Sequence, residues 1–135
     1  MRTSALVLLV MVLSLIAGCG GSDAEISNDR LLETFSEGRT GIWVSGQAPV
    51  TQILGDESIG GNIQSFVVRL KEYIQVTKMH SLDKADRIPI ERGDTVRFHG
   101  LYDWNPRGGV VSLTHRDSSQ PGDGGWVEHA GTRYD

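Results

Sequence analysis

The sequence predicts a mainly β domain, a small five-stranded barrel preceded by a short helix. Three observations lead to this prediction. Five segments between residues 42 and 114 place apolar residues at about every second position, as half-buried strands do. Glycine-rich and polar turn sequences separate these segments. Residues 27–135 are enough for one domain with a single modest core.

The helix is predicted directly before the first strand. Ser27 or Asn28 can cap its first turn, because short polar side chains accept hydrogen bonds from the free N–H groups there. Gly38 ends it, since glycine readily takes the left-handed conformation at a helix C-terminus. Its apolar face, which can pack on a sheet, consists of Leu31, Leu32 and Phe35.

The five strands are separated by recognisable turns. Gly46 predicts a bulge or sharp bend in the first strand. Lys71-Glu72 predicts the tip of a tight hairpin between the second and third strands, and Arg92-Gly93-Asp94 predicts a turn before the fourth. The predicted strands lie at 42–45 with a continuation to 54, 66–70, 73–79, 95–102 and 110–114.

The order of these elements is that of an OB-like barrel. Residues 80–91 form an irregular link between the third and fourth strands, with one helical turn predicted over 82–87. Five strands with such a link match the five-stranded OB fold. A split barrel or a small open sandwich is the alternative. After a turn-rich stretch at 116–125, a small closing hairpin is predicted around Ala130-Gly131.

The N-terminus predicts export and lipidation. A positive residue, Arg2, precedes an apolar run that is too short to span a membrane comfortably. The run ends in Ile16-Ala17-Gly18-Cys19, which resembles the lipobox of bacterial lipoproteins, whose cysteine receives diacylglycerol and becomes the first residue after cleavage. We therefore predict a signal peptide at 1–18, and a lipidated cysteine with a flexible tether at 19–26.

Two other interpretations of this segment are an uncleaved anchor and an ordinary signal peptide followed by a free thiol. Lipidation explains why an exported chain has a single cysteine, Cys19. Two or three acyl chains, palmitate among them, hold a protein stably on a bilayer, where one chain does so only marginally. Gly20 stands where enteric lipoproteins retained in the inner membrane have Asp. The predicted location is the cell envelope, on the periplasmic side of the outer membrane if the host has one.

Charge and motifs narrow the class of function. The net charge is −4, so attraction to polyphosphate is not expected, and a glycan or an envelope protein is a better partner than nucleic acid. The chain has no P-loop, dinucleotide fingerprint, His-Glu-x-x-His or Gly-x-Ser-x-Gly. The sequence therefore predicts no catalytic residue, metal ligand or cofactor, and the leading interpretation is a non-catalytic binding domain.

A polar and aromatic cluster in the C-terminal third is the candidate ligand-binding site. The ends of the fourth and fifth strands and the tail can meet at one edge of the barrel, because a short loop joins those strands. The cluster consists of Tyr102, Trp104, Asn105, His115, Asp117, Trp126, His129 and Tyr134.

This cluster has chemical and structural interpretations. Imidazoles and a carboxylate can bind a divalent ion or transfer protons, so the alternative function is a metal-dependent phosphodiesterase using His115, Asp117 and His129. The histidines can equally hold the tail on the barrel. Trp104 and Trp126 can stack on a sugar or a base, or close a barrel end. A structural lipoprotein without a small ligand is the third hypothesis.

Six motifs in the domain resemble a known family. They are Gly93-Asp94-Thr95-Val96, Tyr102-Asp103-Trp104-Asn105, Gly108-Gly109-Val110, Thr114-His115-Arg116-Asp117, Gly125-Trp126-Val127-Glu128-His129-Ala130-Gly131 and Tyr134. Through them, residues 41–134 resemble an uncharacterised family of small exported bacterial proteins, a domain of unknown function. The resemblance implies an envelope domain and no particular activity. Where the family often has further histidines, this chain has Ser112-Leu113 and Gly122, which weakens a histidine-rich metal site.

Overall fold

The structure, a computed structural model, describes residues 25–56, 62–71 and 74–135. The predicted signal peptide, Cys19 and most of the predicted tether lie outside the described residues, as does Glu72 of the predicted hairpin tip. Within the described ranges, no helix has the length and apolar character needed to cross a bilayer.

The described residues form one α-helix, seven strands and a short 3₁₀ turn at Pro121–Asp123. In chain order the main elements are α1 Asn28–Ser36, β1 Ile42–Ile53, β2 Ile63–Lys71, β3 Ile74–Ser81, β4 Thr95–Asp103, β5 Val110–Ser112, β6 Trp126–His129 and β7 Thr132–Tyr134.

Five of the strands close into a barrel. β1 pairs with β2 along one edge and with β4 along the other, and β2 pairs with β3. The short strand β5 completes the circle, parallel to β3 and antiparallel to β4. β6 then pairs with the first half of β4, and β7 pairs with β6, so these two strands extend the sheet outside the barrel. The predicted five-stranded OB-like barrel with a short N-terminal helix is confirmed.

The helix begins and ends where its capping residues predict. The Ser27 hydroxyl accepts a hydrogen bond from the Arg30 N–H, and Gly38 follows the helix at φ 64°. The Asn28 side chain exchanges two hydrogen bonds, of 2.8 and 2.9 Å, with the backbone of Gln47. These bonds join the first turn of α1 to β1, and Leu31 fills the core beneath it.

The predicted interruption at Gly46 is wrong. β1 runs through this residue in unbroken register with β4, where Gly46 lies opposite Phe98. A Cβ atom at position 46 would lie 2.6 Å from Cζ of Phe98, so glycine is needed there because a ring lies against the backbone. The irregularity in the pairing of β1 falls later, between Val50 and Gln52.

Two other boundaries differ from the prediction. The turn in the link between β3 and β4 covers residues 82–84 and not 82–87, and a 3.0 Å hydrogen bond from the Ala85 N–H to the Ser81 carbonyl closes it. β5 ends at Ser112, two residues early, because Leu113 takes a positive φ of 53° that a strand cannot continue through.

A lysine and a histidine share the interior of the barrel with its apolar core. Lys78 is fully buried, and its Nζ atom has no hydrogen-bond partner and lies 2.9 Å from the centroid of the Phe98 ring. Burial lowers the pKa of Lys78 well below its ordinary value. His80 is buried as well, but both of its nitrogens are hydrogen-bonded, to the Thr114 hydroxyl and to the Asp86 carbonyl. The interior therefore contains one satisfied imidazole and one amine without a partner.

Candidate ligand-binding site

A row of stacked side chains crosses the outer face of four neighbouring strands. Trp43 of β1 stacks on His99 of β4 with ring centroids 5.3 Å apart. The other side of the His99 ring faces Trp126 of β6, with centroids 6.2 Å apart. Arg133 of β7 places its guanidinium carbon 4.2 Å from the centroid of the Trp126 ring, a cation–π contact. We call these four residues the ring row.

The register of the strands produces the ring row. His99 lies opposite Ser45 on β1 and opposite Trp126 on β6. Because side chains alternate along a strand, these residues face away from the barrel interior, although Ser45 and Trp126 are only 8% and 7% exposed. The interior is filled by their neighbours in sequence, the buried residues Val44, Phe98 and Val127.

A hydrogen bond to Ser45 fixes the imidazole within the row. The Ser45 hydroxyl and Nδ1 of His99 are 2.7 Å apart. Burial lowers the pKa of His99, which favours the neutral form of the ring. A serine and a histidine at this distance are also found as nucleophile and base in enzymes. Within the described residues, however, no carboxylate hydrogen-bonds to His99, and two indoles flank its ring. The contact therefore serves to position the imidazole.

A small cleft of about 250 Å³ opens at the Trp126 end of the ring row. One wall is the turn 122–125, which packs so closely on the segment before it that a Cβ atom at Gly124 would lie 2.5 Å from the His115 carbonyl oxygen. The other walls carry charge, because Nη2 of Arg116 lies 3.0 Å from Oδ2 of Asp135 and Arg133 covers Trp126. The cleft thus combines two guanidinium groups and the carboxylates of Asp123 and Asp135 with the indole of Trp126.

A larger cleft, of about 460 Å³, lies beside α1. Its walls are charged and polar side chains of the helix and of the residues that follow it, such as Glu33 and Arg39, together with Ile42. It contains no aromatic side chain among its lining residues. We therefore place the candidate site at the smaller cleft, where the Trp126 indole and two arginines meet.

Three of the predicted site residues are not brought together. The backbone of His115 lies at the start of β6, where its carbonyl accepts a hydrogen bond from the Gly125 N–H, and Asp117 follows two residues later. His129 lies at the other end of β6, roughly 10 Å away along a strand of this length. There its Nε2 atom contacts Oδ2 of Asp94 at 2.8 Å.

Asp117 and His129 have local partners that explain their positions, whereas Nδ1 of His115 is buried without a hydrogen-bond partner. The hydroxyl and then the N–H of Ser119 lower the pKa of Asp117. The Glu91 N–H and then His129 lower the pKa of Asp94. Within the described ranges, no group of three or more His, Cys, Asp or Glu side chains could hold a metal ion. The geometry that a metal-dependent hydrolase requires is therefore not formed by His115, Asp117 and His129.

The structure places three more of the predicted residues in the core or in a loop. Tyr102 is fully buried, its hydroxyl donates to the Gly108 carbonyl at 2.7 Å, and burial raises its pKa to about 12. Asn105 accepts hydrogen bonds from two N–H groups of the 105–109 loop. Tyr134 packs, half-buried, against the core. None of the three lines the cleft.

Trp104 joins the helix to the barrel. Its ring stacks on Phe35 with centroids 6.4 Å apart, and its indole N–H donates to the Phe35 carbonyl at 3.0 Å. Its backbone N–H donates to the Thr40 hydroxyl. The side chain is still 42% exposed, so the other side of the ring faces solvent.

Replacing Trp104 by alanine should loosen α1. The variant loses the stacking on Phe35 and one hydrogen bond, so we expect the free energy of unfolding to fall by about 1–2 kcal/mol. Hydrogen exchange of the amides of Asn28–Ser36 should become faster while that of β1–β4 is maintained. Trp104→Phe, which keeps a ring without the N–H donor, should show a smaller effect. Unchanged protection of α1 in Trp104→Ala would contradict this role.

Sequence reasoning found Trp126 but missed the other residues of the ring row, and Arg116 of the cleft. Trp43 and Ser45 alternate with the core residue Val44, and His99 follows the core residue Phe98. This period-two pattern marks them as outward-facing, and it is visible in the sequence. Their meeting depends on strand register, which the sequence pattern does not contain.

Comparison with protein families gives one match. Residues 10–135 match the family described as "Protein of unknown function (DUF3465)". No curated protein is detectably similar to the chain. The family match covers the barrel, the closing hairpin and the candidate site.

Proposed function

The chain belongs to the DUF3465 family, whose description assigns no activity, and we propose that its function is to bind a ligand without transforming it. The protein would act as a lipid-anchored domain of the bacterial cell envelope, and its ligand would be an envelope glycan bound at the cleft beside Trp126.

The observation that carries this proposal is the meeting of one fixed indole, that of Trp126, with two guanidinium groups at one small cleft. The ring row is rigid, because the imidazole is flanked on both sides and hydrogen-bonded to Ser45. Ligand sites are typically concave and preformed, with a few polar groups that fix orientation. A cleft of about 250 Å³ suits a single sugar unit or the end of a chain better than a large cofactor.

The anchor in this proposal rests on the sequence. The apolar run that ends in Ile16-Ala17-Gly18-Cys19 supports cleavage before Cys19 and transfer of diacylglycerol to its sulfur. Only the capping residue Ser27 separates the predicted tether from α1, which begins at Asn28. The barrel would therefore stay close to the bilayer surface, where envelope glycans are concentrated.

The anchor is tested by labelling. Full-length protein produced in a bacterium with a lipoprotein pathway should incorporate radiolabelled palmitate and sediment with membranes. Cys19→Ser should lose the label completely and should retain an uncleaved leader, because the modified cysteine is the substrate of cleavage. Mass spectrometry of the native chain measures cleavage of the leader and addition of lipid independently. A wild-type chain with an intact leader and an unmodified thiol would overturn the anchor.

Binding is tested separately, with the full-length protein in detergent and a panel of acidic and neutral oligosaccharides. We expect at least one to bind, and Arg116→Gln to weaken the strongest hit by about tenfold, the effect of removing one charge-assisted contact. Arg39→Gln is the matched control, since Arg39 also makes an exposed ion pair, with Glu37, but lines the larger cleft. If only Arg39→Gln weakened binding, the ligand would occupy the other cleft.

A further inference from the structure

We infer that the cleft beside Trp126 selects a ligand with a carboxylate, and that the side chain of Asp135 occupies the carboxylate position while the ligand is absent. This inference rests on the proposed function and adds the chemical class of the ligand, an acidic saccharide. It also gives Asp135 the role of an internal competitor.

The position of Arg116 supports this assignment. Its side chain is 73% exposed, so a ligand can reach it, and its Nη2 atom holds a carboxylate oxygen of Asp135 at 3.0 Å. A guanidinium has five N–H donors in a planar fork that matches a carboxylate in two-point contact. The ion pair within the chain therefore shows where a carboxylate fits in this cleft and which group holds it.

The internal pair is weak enough to be exchanged. Ion pairs between exposed side chains contribute little to stability, because water solvates both charges well and ordering long side chains costs entropy. An incoming carboxylate that contacts Arg116 and also the rest of the cleft would gain interactions that Asp135 alone does not make. When a ligand carboxylate replaces that of Asp135 at Arg116, the charge beside the guanidinium stays the same.

The second arginine of the cleft restricts the ligand further. Arg133 lies over the Trp126 ring and its Nη2 atom contacts Oε2 of Glu128 at 3.3 Å. The two guanidinium groups of the cleft therefore lie among carboxylates, since Asp123 and Asp135 line the cleft and Glu128 contacts Arg133. A compact dianion such as a phosphate would be repelled by these carboxylates more strongly than a single carboxylate would. The net charge of −4 also repels a dianion more strongly than a single carboxylate.

The test compares three probes of matched size with the full-length protein in detergent. They are tetragalacturonate, the neutral galactose tetramer and a phosphorylated galactose tetramer. Titration calorimetry should detect tetragalacturonate binding, and Asp135→Asn should increase that affinity by about fivefold because Arg116 loses its internal partner. Arg116→Gln should decrease it by about tenfold, and the double variant should behave like Arg116→Gln. Circular dichroism checks that each variant folds.

The outcomes separate this inference from the function on which it rests. Equal binding of the neutral tetramer, or stronger binding of the phosphorylated sugar, would overturn carboxylate selection while leaving glycan binding in place. Wild-type affinity in Asp135→Asn would overturn the competitor role. Loss of binding in Arg39→Gln would move the ligand to the larger cleft and overturn the inference. Absence of binding by all three probes and by the oligosaccharide panel would overturn both proposals.

Discussion

Replacing Lys78 by methionine is expected to stabilise the protein by about 2 kcal/mol or more at pH 7. The Lys78 amine lies in the barrel interior without a hydrogen-bond partner, against the ring of Phe98. Leaving water costs this amine its hydration, and the single contact with an aromatic ring replaces only part of it. Methionine keeps a long unbranched side chain of similar shape and removes the polar atom.

Lys78→Met should also remove a pH dependence of the free energy of unfolding. Burial lowers the pKa of Lys78 in the folded protein from its ordinary value of 10.5. Between the lowered pKa of the folded protein and the ordinary pKa of the unfolded chain, the unfolded chain binds a proton that the folded protein does not. The free energy of unfolding therefore falls as the pH falls through this window. The limiting slope is about 1.4 kcal/mol per pH unit. Below the folded pKa both states are protonated and the slope disappears.

Urea denaturation between pH 7 and pH 9.5 measures this effect. The difference in unfolding free energy between Lys78→Met and the wild type should shrink as the pH rises. Lys84→Met is the control, because Lys84 is exposed, and its curve should run parallel to the wild type. A constant difference between Lys78→Met and the wild type across this range would show that the Lys78 amine is not held in a lowered-pKa state.

Replacing Tyr102 by alanine should destabilise the protein by about 3–5 kcal/mol. The ring is fully buried in the barrel, and the backbone of Gly109 lies so close that a Cβ atom there would be 2.3 Å from the ring. Removing the ring leaves a large cavity where β4 meets β5. Tyr102→Phe keeps the ring and loses only the hydrogen bond to the Gly108 carbonyl, so about 1 kcal/mol is expected.

These variants also separate a core role from a binding role. Chemical denaturation gives the stability of both, and titration with the best oligosaccharide gives the affinity of Tyr102→Phe. The affinity should equal that of the wild type, because Tyr102 does not line the cleft. A folded Tyr102→Phe with lost binding would return Tyr102 to the ligand-binding site, as the sequence predicted.

Much of the fold was predictable because its signals are local. The cap at Ser27 and the glycine at 38 mark the ends of α1, and the period-two pattern marks the strands. Gly46 was misinterpreted because a glycine in a strand has two common causes, a bend or a close neighbour. Only the packing of Phe98 against that backbone distinguishes them.

The candidate site was predictable only in part. Trp126 was recognised as a residue with binding chemistry, and it lines the cleft. Trp104 carried the same signal, yet it contacts Phe35 and Thr40 near α1. The chemistry of a side chain can be assessed from the residue type. Whether two functional side chains lie next to each other depends on how the chain folds between the two residues.

What the sequence determined by itself is therefore the class of the domain, the approximate limits of its helix and strands, and which side of each strand is apolar. These follow from interactions within a few residues. Only the tertiary structure decided that His99 lies between Trp43 and Trp126 and that Arg116 meets Asp135. The physical reason is register, since a one-residue slip between β1 and β4 or between β4 and β6 would move each outward side chain to the opposite face.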